Sequence, residues 1–376
     1  MSTKILYILS SFNKFGGTPK KTMDLIKHSS NTCYLYVWGN AYSKEFKEEF
    51  ISSGANIFEG NYKRNIFKHI NSLLKIIDKH DIKIIQSQFF FGELLAGILK
   101  TLRPKIKLVI AFVGSLSPTG YKKQILNLIY NKVDAFVYIS KYVQEEKIKA
   151  HSKLKNTKGV IIYNGTIKPI STNKVIEKNK NTISILCVSS LLKIKNIQIL
   201  IDCLIILLKK KYTNIEFLIA GDGPERKELE KQIHEKGLTN NFTLLGHKKN
   251  IGDLHKTTNI FVHPCYIEGF GIAVAEAMLE GKPIIVSNTG ALPELIKDKN
   301  TGLLVNPFDA EQWANAIIKL IEQPDYAKKL ASNAKQYAEK EFSVKRFVDD
   351  YNKLYENLTA ATPSNVTAKN YYKMKT

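Results

Sequence analysis

Short apolar runs rich in β-branched residues alternate with helix-period segments along most of this 376-residue chain, in two series separated by one polar break. In the first series residues 4–9, 33–37, 82–85, 107–112, 135–139 and 160–163 read as buried strands, and 19–28, 66–79, 93–102, 122–130 and 141–150 as helices. In the second, 183–188, 215–220, 242–244, 260–263 and 283–286 read as strands, with helices at 197–210, 225–235 and 272–280. Parallel strands need crossover connections, so this order predicts an α/β chain with two Rossmann-like β/α/β halves. The break at 168–181 (KPISTNKVIEKNKN) has no apolar period and reads as a linker. Domains are therefore expected at 1–167 and 168–342. Ser343 opens a last helix, 343–358, whose Phe347, Tyr351, Leu354 and Leu358 recur at helical spacing, and 359–376 reads as a polar, flexible tail.

The net charge of +22 is unevenly placed: residues 1–170 hold 27 Lys and Arg against 11 Asp and Glu, whereas the remainder carries an excess of only 6. An excess of this kind suits an anionic partner, whether nucleic acid, acidic lipid or a phosphorylated substrate, although lysines that merely solvate helices would give the same count. Cys33, Cys187, Cys203 and Cys265 lie far apart, with no C-x-x-C pair and no histidine at ligand spacing. Neither a zinc site nor a disulfide framework is expected, and a reducing cytosol fits. Residues 1–12 do not read as a signal peptide, and the longest apolar stretch, 197–208, is too short to span a bilayer and contains Asp202.

The densest chemistry lies in 262–304, VHPCYIEGFGIAVAEAMLEGKPIIVSNTGALPELIKDKNTGLL. Glu268-Gly269-Phe270-Gly271 follows a strand and precedes a helix that Gly281 can end as a C′ residue. The glycines let the backbone approach a ligand, and the N–H groups of the new helix favour an anion. Glu276, two turns after Glu268, places a second carboxylate where it can hold another part of one elongated ligand. Taken singly, each glutamate also reads as a cap or a solvated helix residue. His263 reads as a packed strand-end residue rather than a ligand. Thr18 as N-cap and Pro19 at N1 would explain Gly16-Gly17 as a simple turn before a helix. No D-x-D stands at a strand end, so no metal is expected, and a dinucleotide G-x-G-x-x-G is absent.

This segment resembles the donor-binding signature of GT-B glycosyltransferases of the glycogen-synthase-like retaining group, glycosyltransferase family 4, through its E-x7-E pair and its EGFG, EAM and GKP runs. The likeness extends to Phe15-Gly16-Gly17-Thr18, the strand 133–140, Tyr163-Asn164-Gly165, Ala220-Gly221-Asp222-Gly223-Pro224 and Leu245-Gly246-His247. The resemblance implies two Rossmann-like domains facing a central cleft, with the last helix returning to the first domain. It implies that Glu268 contacts donor-sugar hydroxyls, that the amides of Phe270, Gly271 and Ile272 lie near sugar or phosphate, with Gly269 among the donor-binding residues, and that Glu276 holds the ribose. It also implies that Lys195 meets the diphosphate, with Gly16, Gly17, Gly246 and His247 completing the donor site. The family arginine five residues before Lys195 is Ser190 here, with Lys193 as the nearest substitute, and Val113 stands where many members place a histidine.

The expected function is thus transfer of a sugar from a nucleotide diphosphate sugar, used as co-substrate with no bound cofactor, to a glycan or lipid-linked acceptor in bacterial envelope polysaccharide synthesis. The chain would work at the anionic inner membrane surface without nucleic acid as a partner, and Glu268 and Lys195 are the catalytic candidates. A nucleotide-sugar epimerase or hydrolase on the same scaffold, or a basic nucleic-acid-binding module, are the alternatives.

Overall fold

The computed structural model describes residues 2–10, 17–39, 44–157, 159–171 and 181–360. Gly16, Phe15, most of the 168–181 segment and most of the tail lie outside them. The chain divides into two compact units, one built from Met1–Gly165 and the residues from Val344 onward, the other from Thr166–Ser343.

The first unit is a parallel seven-stranded sheet of β1 (Lys4–Leu9), β2 (Thr32–Val37), β3 (Asn56–Glu59), β4 (Ile84–Ser87), β5 (Lys107–Phe112), β6 (Ala135–Tyr138) and β7 (Gly159–Ile161), in the order β3-β2-β1-β4-β5-β6-β7. Ile5 of β1 pairs with Cys33 on one side and Ile84 on the other. β1, β4 and β5 are buried almost end to end because crossover helices cover both faces, which explains their unbroken apolar runs. The helix Val344–Thr359 belongs to this unit: Val344, Phe347, Val348, Tyr351, Leu354 and Tyr355 enter its core, and Tyr355 Oη donates to Gln86 Oε1 at 2.6 Å. Gly165 admits this helix, since a Cβ there would stand 2.6 Å from that of Phe347.

The second unit repeats the plan with six parallel strands, β8 (Ile183–Val188), β9 (Ile215–Ala220), β10 (Phe242–Gly246), β11 (Ile260–His263), β12 (Ile284–Ser287) and β13 (Leu303–Val305), in the order β10-β9-β8-β11-β12-β13. The helix Gln198–Lys209 buries Leu200, Ile201, Cys203, Leu204 and Leu207, and Trp313 and Ile317 of Ala310–Glu322 join the same core.

Several elements differ from the sequence expectation. The pair Lys44–Ser52 and β3 had no clear pattern; β3 is a four-residue strand that is half exposed, so it shows little apolar alternation. The first helix begins at Gly17, which places Thr18 inside its first turn rather than at the cap. The helix expected from residue 93 starts at Phe90, after Phe89 in the left-handed region (φ 61).

One buried carboxyl makes the first unit sensitive to pH. Glu93 is 4% exposed and accepts a hydrogen bond from Tyr130 Oη at 2.9 Å. Burial pushes its carboxyl up to about 7, against the opposing effects of Tyr130 and the Lys147 charge. A carboxyl whose folded pKa is raised stabilises the fold fully below its unfolded value and loses that contribution as pH rises through the folded one. Stability from this group should therefore fall between about pH 4.5 and about 7. Glu93→Gln keeps an acceptor for Tyr130 and should flatten that slope, gaining on the order of 3 kcal/mol at pH 8 relative to the parent. Urea unfolding at a series of pH values checks this; parallel curves for the two proteins would contradict it.

Candidate active site

In the second unit the strand order reverses between β8 and β11, and ligands on doubly wound sheets sit outside the carboxyl ends of the strands at such a point. The loop after β8 ends in a short 3-10 turn, Lys193–Lys195, followed by Asn196 in the left-handed region (φ 54), whose Nδ2 donates to the Pro307 carbonyl at 2.7 Å. Beyond β11, the Tyr266 N–H donates to the Ile194 carbonyl at 2.8 Å and ties the two loops together. The loop after β12 closes the arrangement: Thr289 Oγ1 donates to the Tyr266 carbonyl at 2.7 Å, and the Ala291 N–H to the Glu268 carbonyl at 2.9 Å.

Glu268 is the hub of these loops. Its Oε2 accepts from Lys195 Nζ at 2.7 Å and lies 3.0 Å from His263 Nε2, while Oε1 accepts from the Gly269 N–H at 3.1 Å. An ionised carboxylate only accepts, so the ring hydrogen facing it belongs on Nε2; His263 Nδ1 is buried without a partner. The side chains of Lys195 and Glu268 are 17% and 16% exposed, which weakens solvent screening of the pair. Burial opposes ionisation of Glu268, yet the His263 hydrogen bond and the Lys195 charge outweigh it and hold the carboxyl well below its ordinary range. Glu268 is thus a persistent anion, fitted to accept hydroxyl hydrogens and unfitted to deliver a proton. Three of its roughly four lone-pair sites are filled, which leaves one on Oε1 for a ligand hydroxyl. Lys195, with one ammonium hydrogen on Glu268, keeps donors for an anion.

His263, Cys265 and Glu268 bring possible metal-ligating atoms within 4.8 Å of one another. Burial first, and then the Glu268 charge, push the Cys265 thiol up to about 12, and the Lys195 ammonium already faces Glu268. This donor set fits hydrogen bonding better than a cation.

Directly after Glu268 the chain turns through Gly271, at φ 101, into the helix Ile272–Leu279. Phe270 anchors the turn by packing edge-on against Phe342, with centroids 5.5 Å apart. The Val274 N–H is taken by the Gly271 carbonyl at 3.0 Å, which leaves the N–H groups of Ile272 and Ala273, with no intrahelical carbonyl before them, to favour a negative group. Glu276 lies half-buried in its second turn, and Gly281 follows the helix at φ 65.

Gly290 sets how close the loop after β12 comes to Glu268. It has φ 56, and a Cβ there would stand 2.5 Å from the Glu268 carbonyl oxygen and 2.8 Å from its nitrogen, both backbone atoms. Gly290→Ala is therefore expected to cost more than the roughly 1–2 kcal/mol of left-handed backbone alone, and to displace Glu268. Urea unfolding together with an activity assay checks this; unchanged stability and activity would refute the assigned packing.

The structure gathers Lys195, Glu268, Gly269, Phe270, Gly271, Ile272 and Glu276 around one strand end. Ser190 and Lys193 are exposed in the loop that leads to Lys195. Gly246 ends β10, two strands from β8, at φ 70 with its carbonyl accepting the Gly221 N–H at 2.9 Å, and His247 follows it, exposed. Gly17 opens the helix Gly17–His28 of the first unit. Two further side chains belong to this region, one weighed above as a packed strand-end residue and one without a signal in the sequence. His263 is indeed a buried strand-end residue, but it also holds Glu268. Arg226 places a guanidinium at the end of β10, where it donates to the Leu244 carbonyl at 3.1 Å and pairs with Glu230 at 2.8 Å. The signal for His263 was its position five residues before Glu268, on the strand that delivers it.

Two family models cover most of the chain, Glycosyltransferase Family 4 over residues 16–166 and Glycosyl transferases group 1 over residues 170–337. An uncharacterised glycosyltransferase of Methanocaldococcus jannaschii is 31% identical over 327 residues, 81% of this chain and 80% of that protein. The chain belongs to the family 4 glycosyltransferases. Another relative of this glycosyltransferase is the capsular polysaccharide biosynthesis glycosyltransferase CapH of Staphylococcus aureus, 27% identical over 85% of this chain and 91% of that protein. Among solved structures, HepE of Anabaena in complex with UDP superposes with a TM-score of 0.80 at 22% identity, over 94% of this chain and all of that one. The two parallel sheets of this glycosyltransferase accordingly form a GT-B fold.

Proposed function

We propose that this glycosyltransferase moves a sugar from a nucleotide diphosphate sugar to a lipid-linked glycan in envelope polysaccharide synthesis. The observation that carries the reading is the Lys195–Glu268 pair, which stands at the β8/β11 reversal beside a helix N-terminus. A diphosphate leaving group needs positive or dipolar groups aimed at its oxygens, and Lys195 and the start of Ile272–Leu279 supply both. Glu268 takes a hydroxyl of the transferring sugar on its remaining lone pair, and Glu276 takes the ribose. The likeness to the retaining group supports transfer with retention of the anomeric configuration, and the cationic work falls to Lys195 and the helix end rather than to a metal. The structure of HepE with UDP and the capsular role named for CapH make a uridine donor and an envelope glycan the first choices to test.

The charge excess of residues 1–170 supports a position at the inner face of an anionic membrane; among the described residues no helix is long and apolar enough to cross one. The test offers a panel of uridine, guanosine and adenosine diphosphate sugars together with a membrane lipid extract. Mass spectrometry should find one released nucleoside diphosphate and one lengthened glycolipid, in which nuclear magnetic resonance shows the donor's anomeric configuration. Donor consumption that yields free sugar or an epimer, with no acceptor product, would contradict the reading.

A further inference from the structure

In the second unit, large apolar side chains are exposed in only two places among the described residues. Ile167 and Ile170 lie on the segment that enters the unit; the others, Leu192, Ile194, Ile267 and Phe308, all stand on loops that follow β8, β11 and β13 at the strand carboxyl ends. Ile194 precedes Lys195 and Ile267 precedes Glu268. Single exposed apolar residues need no explanation, whereas a group of them beside charged ligand-binding side chains marks a contact surface. The three loops are bonded to one another. The Tyr266 N–H meets the Ile194 carbonyl, Asn196 Nδ2 meets the Pro307 carbonyl, and the half-buried Tyr266 ring stacks on Phe308 with centroids 5.0 Å apart and planes at 17°. Phe308, 72% exposed, is braced from behind: its N–H donates to Asn306 Oδ1 at 2.9 Å, and the buried Trp313 donates through Nε1 to the Asn306 carbonyl at 3.2 Å. A fixed loop thus holds one face of an aromatic ring out to solvent, which is preorganisation for a ligand rather than a loose end.

Topology decides which part of a ligand can reach that ring. From the reversal, β8 leads to β9 in one direction and β11 to β12 in the other, so right-handed crossovers put Gln198–Lys209 and Ile272–Leu279 on opposite faces of the sheet. Phe308 leads into Ala310–Glu322, which packs on Gln198–Lys209. The aromatic pair therefore lies across the strand ends from Glu276, away from the nucleoside and on the far side of Glu268. What arrives there is the molecule whose hydroxyl attacks the sugar held by Glu268. The attacking end of a glycan is a sugar ring, and besides its hydroxyls a pyranose offers the apolar patch of its ring C–H groups, which a flat aromatic face complements. A lipid tail lies farther along such an acceptor and would ask for an aliphatic groove instead.

We propose that Phe308, backed by Tyr266, is a stacking platform for the terminal sugar of the acceptor and so helps to select it. This rests on the reading above that the acceptor is a glycan, and it names the part of that glycan the second unit holds. The test is saturation-transfer difference nuclear magnetic resonance of the full chain, with nucleoside diphosphate present, against methyl glycosides of the common hexoses and against farnesyl phosphate. The parent should saturate the ring C–H protons of at least one glycoside, Phe308→Ala should lose that signal, and Phe308→Trp should keep it. In transfer to the glycolipids of a membrane extract, Phe308→Ala should raise the acceptor KM about fivefold, with kcat and affinity for the nucleoside diphosphate at their parental values. Circular dichroism should match the parent in both variants. Saturation of farnesyl phosphate without any glycoside would overturn the proposal, as would a parental acceptor KM in Phe308→Ala. It is overturned equally if nucleoside diphosphate affinity falls together with acceptor affinity, since the pair would then serve the donor. A parent that binds glycosides through Phe308 but lengthens no glycolipid would instead count against the lipid-linked acceptor and leave this platform standing.

Discussion

Glu268→Gln is expected to lower kcat/KM for sugar transfer by about 10- to 100-fold, the loss that corresponds to one hydrogen bond to a charged group at about 1.5–3 kcal/mol. The amide keeps the size of the side chain but loses its charge, and its NH2 can accept from neither Lys195 nor His263, which now meet at Oε2. Either the NH2 takes the place of Oε2 and strands both of those donors, or it takes the place of Oε1 and abandons the Gly269 N–H. In each case the acceptor offered to the sugar is weaker and misplaced. Because Glu268 is given to the sugar and not to the diphosphate, the loss should fall on the nucleotide sugar, in its KM and in kcat, while affinity for the free nucleoside diphosphate should change less than threefold. Steady-state kinetics beside calorimetric titration separates the two. An equal loss in both would reassign Glu268 to the nucleotide.

Lys195→Ala should weaken binding of the nucleoside diphosphate by about 10- to 100-fold and depress turnover as well, since its charge is felt before and during departure of the leaving group. The change also strips a largely buried carboxylate of its cation. His263 remains beside Glu268, so its carboxyl should rise toward the ordinary range without becoming neutral at pH 7. Lys195→Arg restores charge but carries a planar fork on a longer side chain, so it should recover affinity before it recovers rate. A Lys195→Ala enzyme with parental affinity would remove the diphosphate from this strand end.

The parts of this molecule that were legible in sequence are those whose meaning is local. The run from Glu268 to Glu276 lies on one turn and one helix, so its spacing alone reports its geometry. The strands β1, β5, β8 and β9 show long apolar runs because each is a central, covered strand. Contacts made by topology were not legible. Lys195 and Glu268 lie 73 residues apart, and only the adjacency of β8 and β11 joins them; the family resemblance named both without giving their bond. His263 looked like an ordinary strand-end residue because its partner is visible only once the loop folds back over the strand. Glu93, Tyr130 and Lys147 sit on three helices, and nothing in their own segments marks them as one buried cluster. The half-exposed edge strand β3 was missed for the opposite reason, since it carries too little apolar pattern to register.

The central claim is that one strand end holds the diphosphate on Lys195 and the sugar on Glu268. Its most direct test is calorimetric titration of the parent, Lys195→Ala and Glu268→Gln with a nucleoside diphosphate and with the matching nucleotide sugar. The account predicts that Lys195→Ala weakens both ligands alike, whereas Glu268→Gln leaves the diphosphate unchanged and removes whatever affinity the sugar adds. Parental affinity of both variants for both ligands would contradict it.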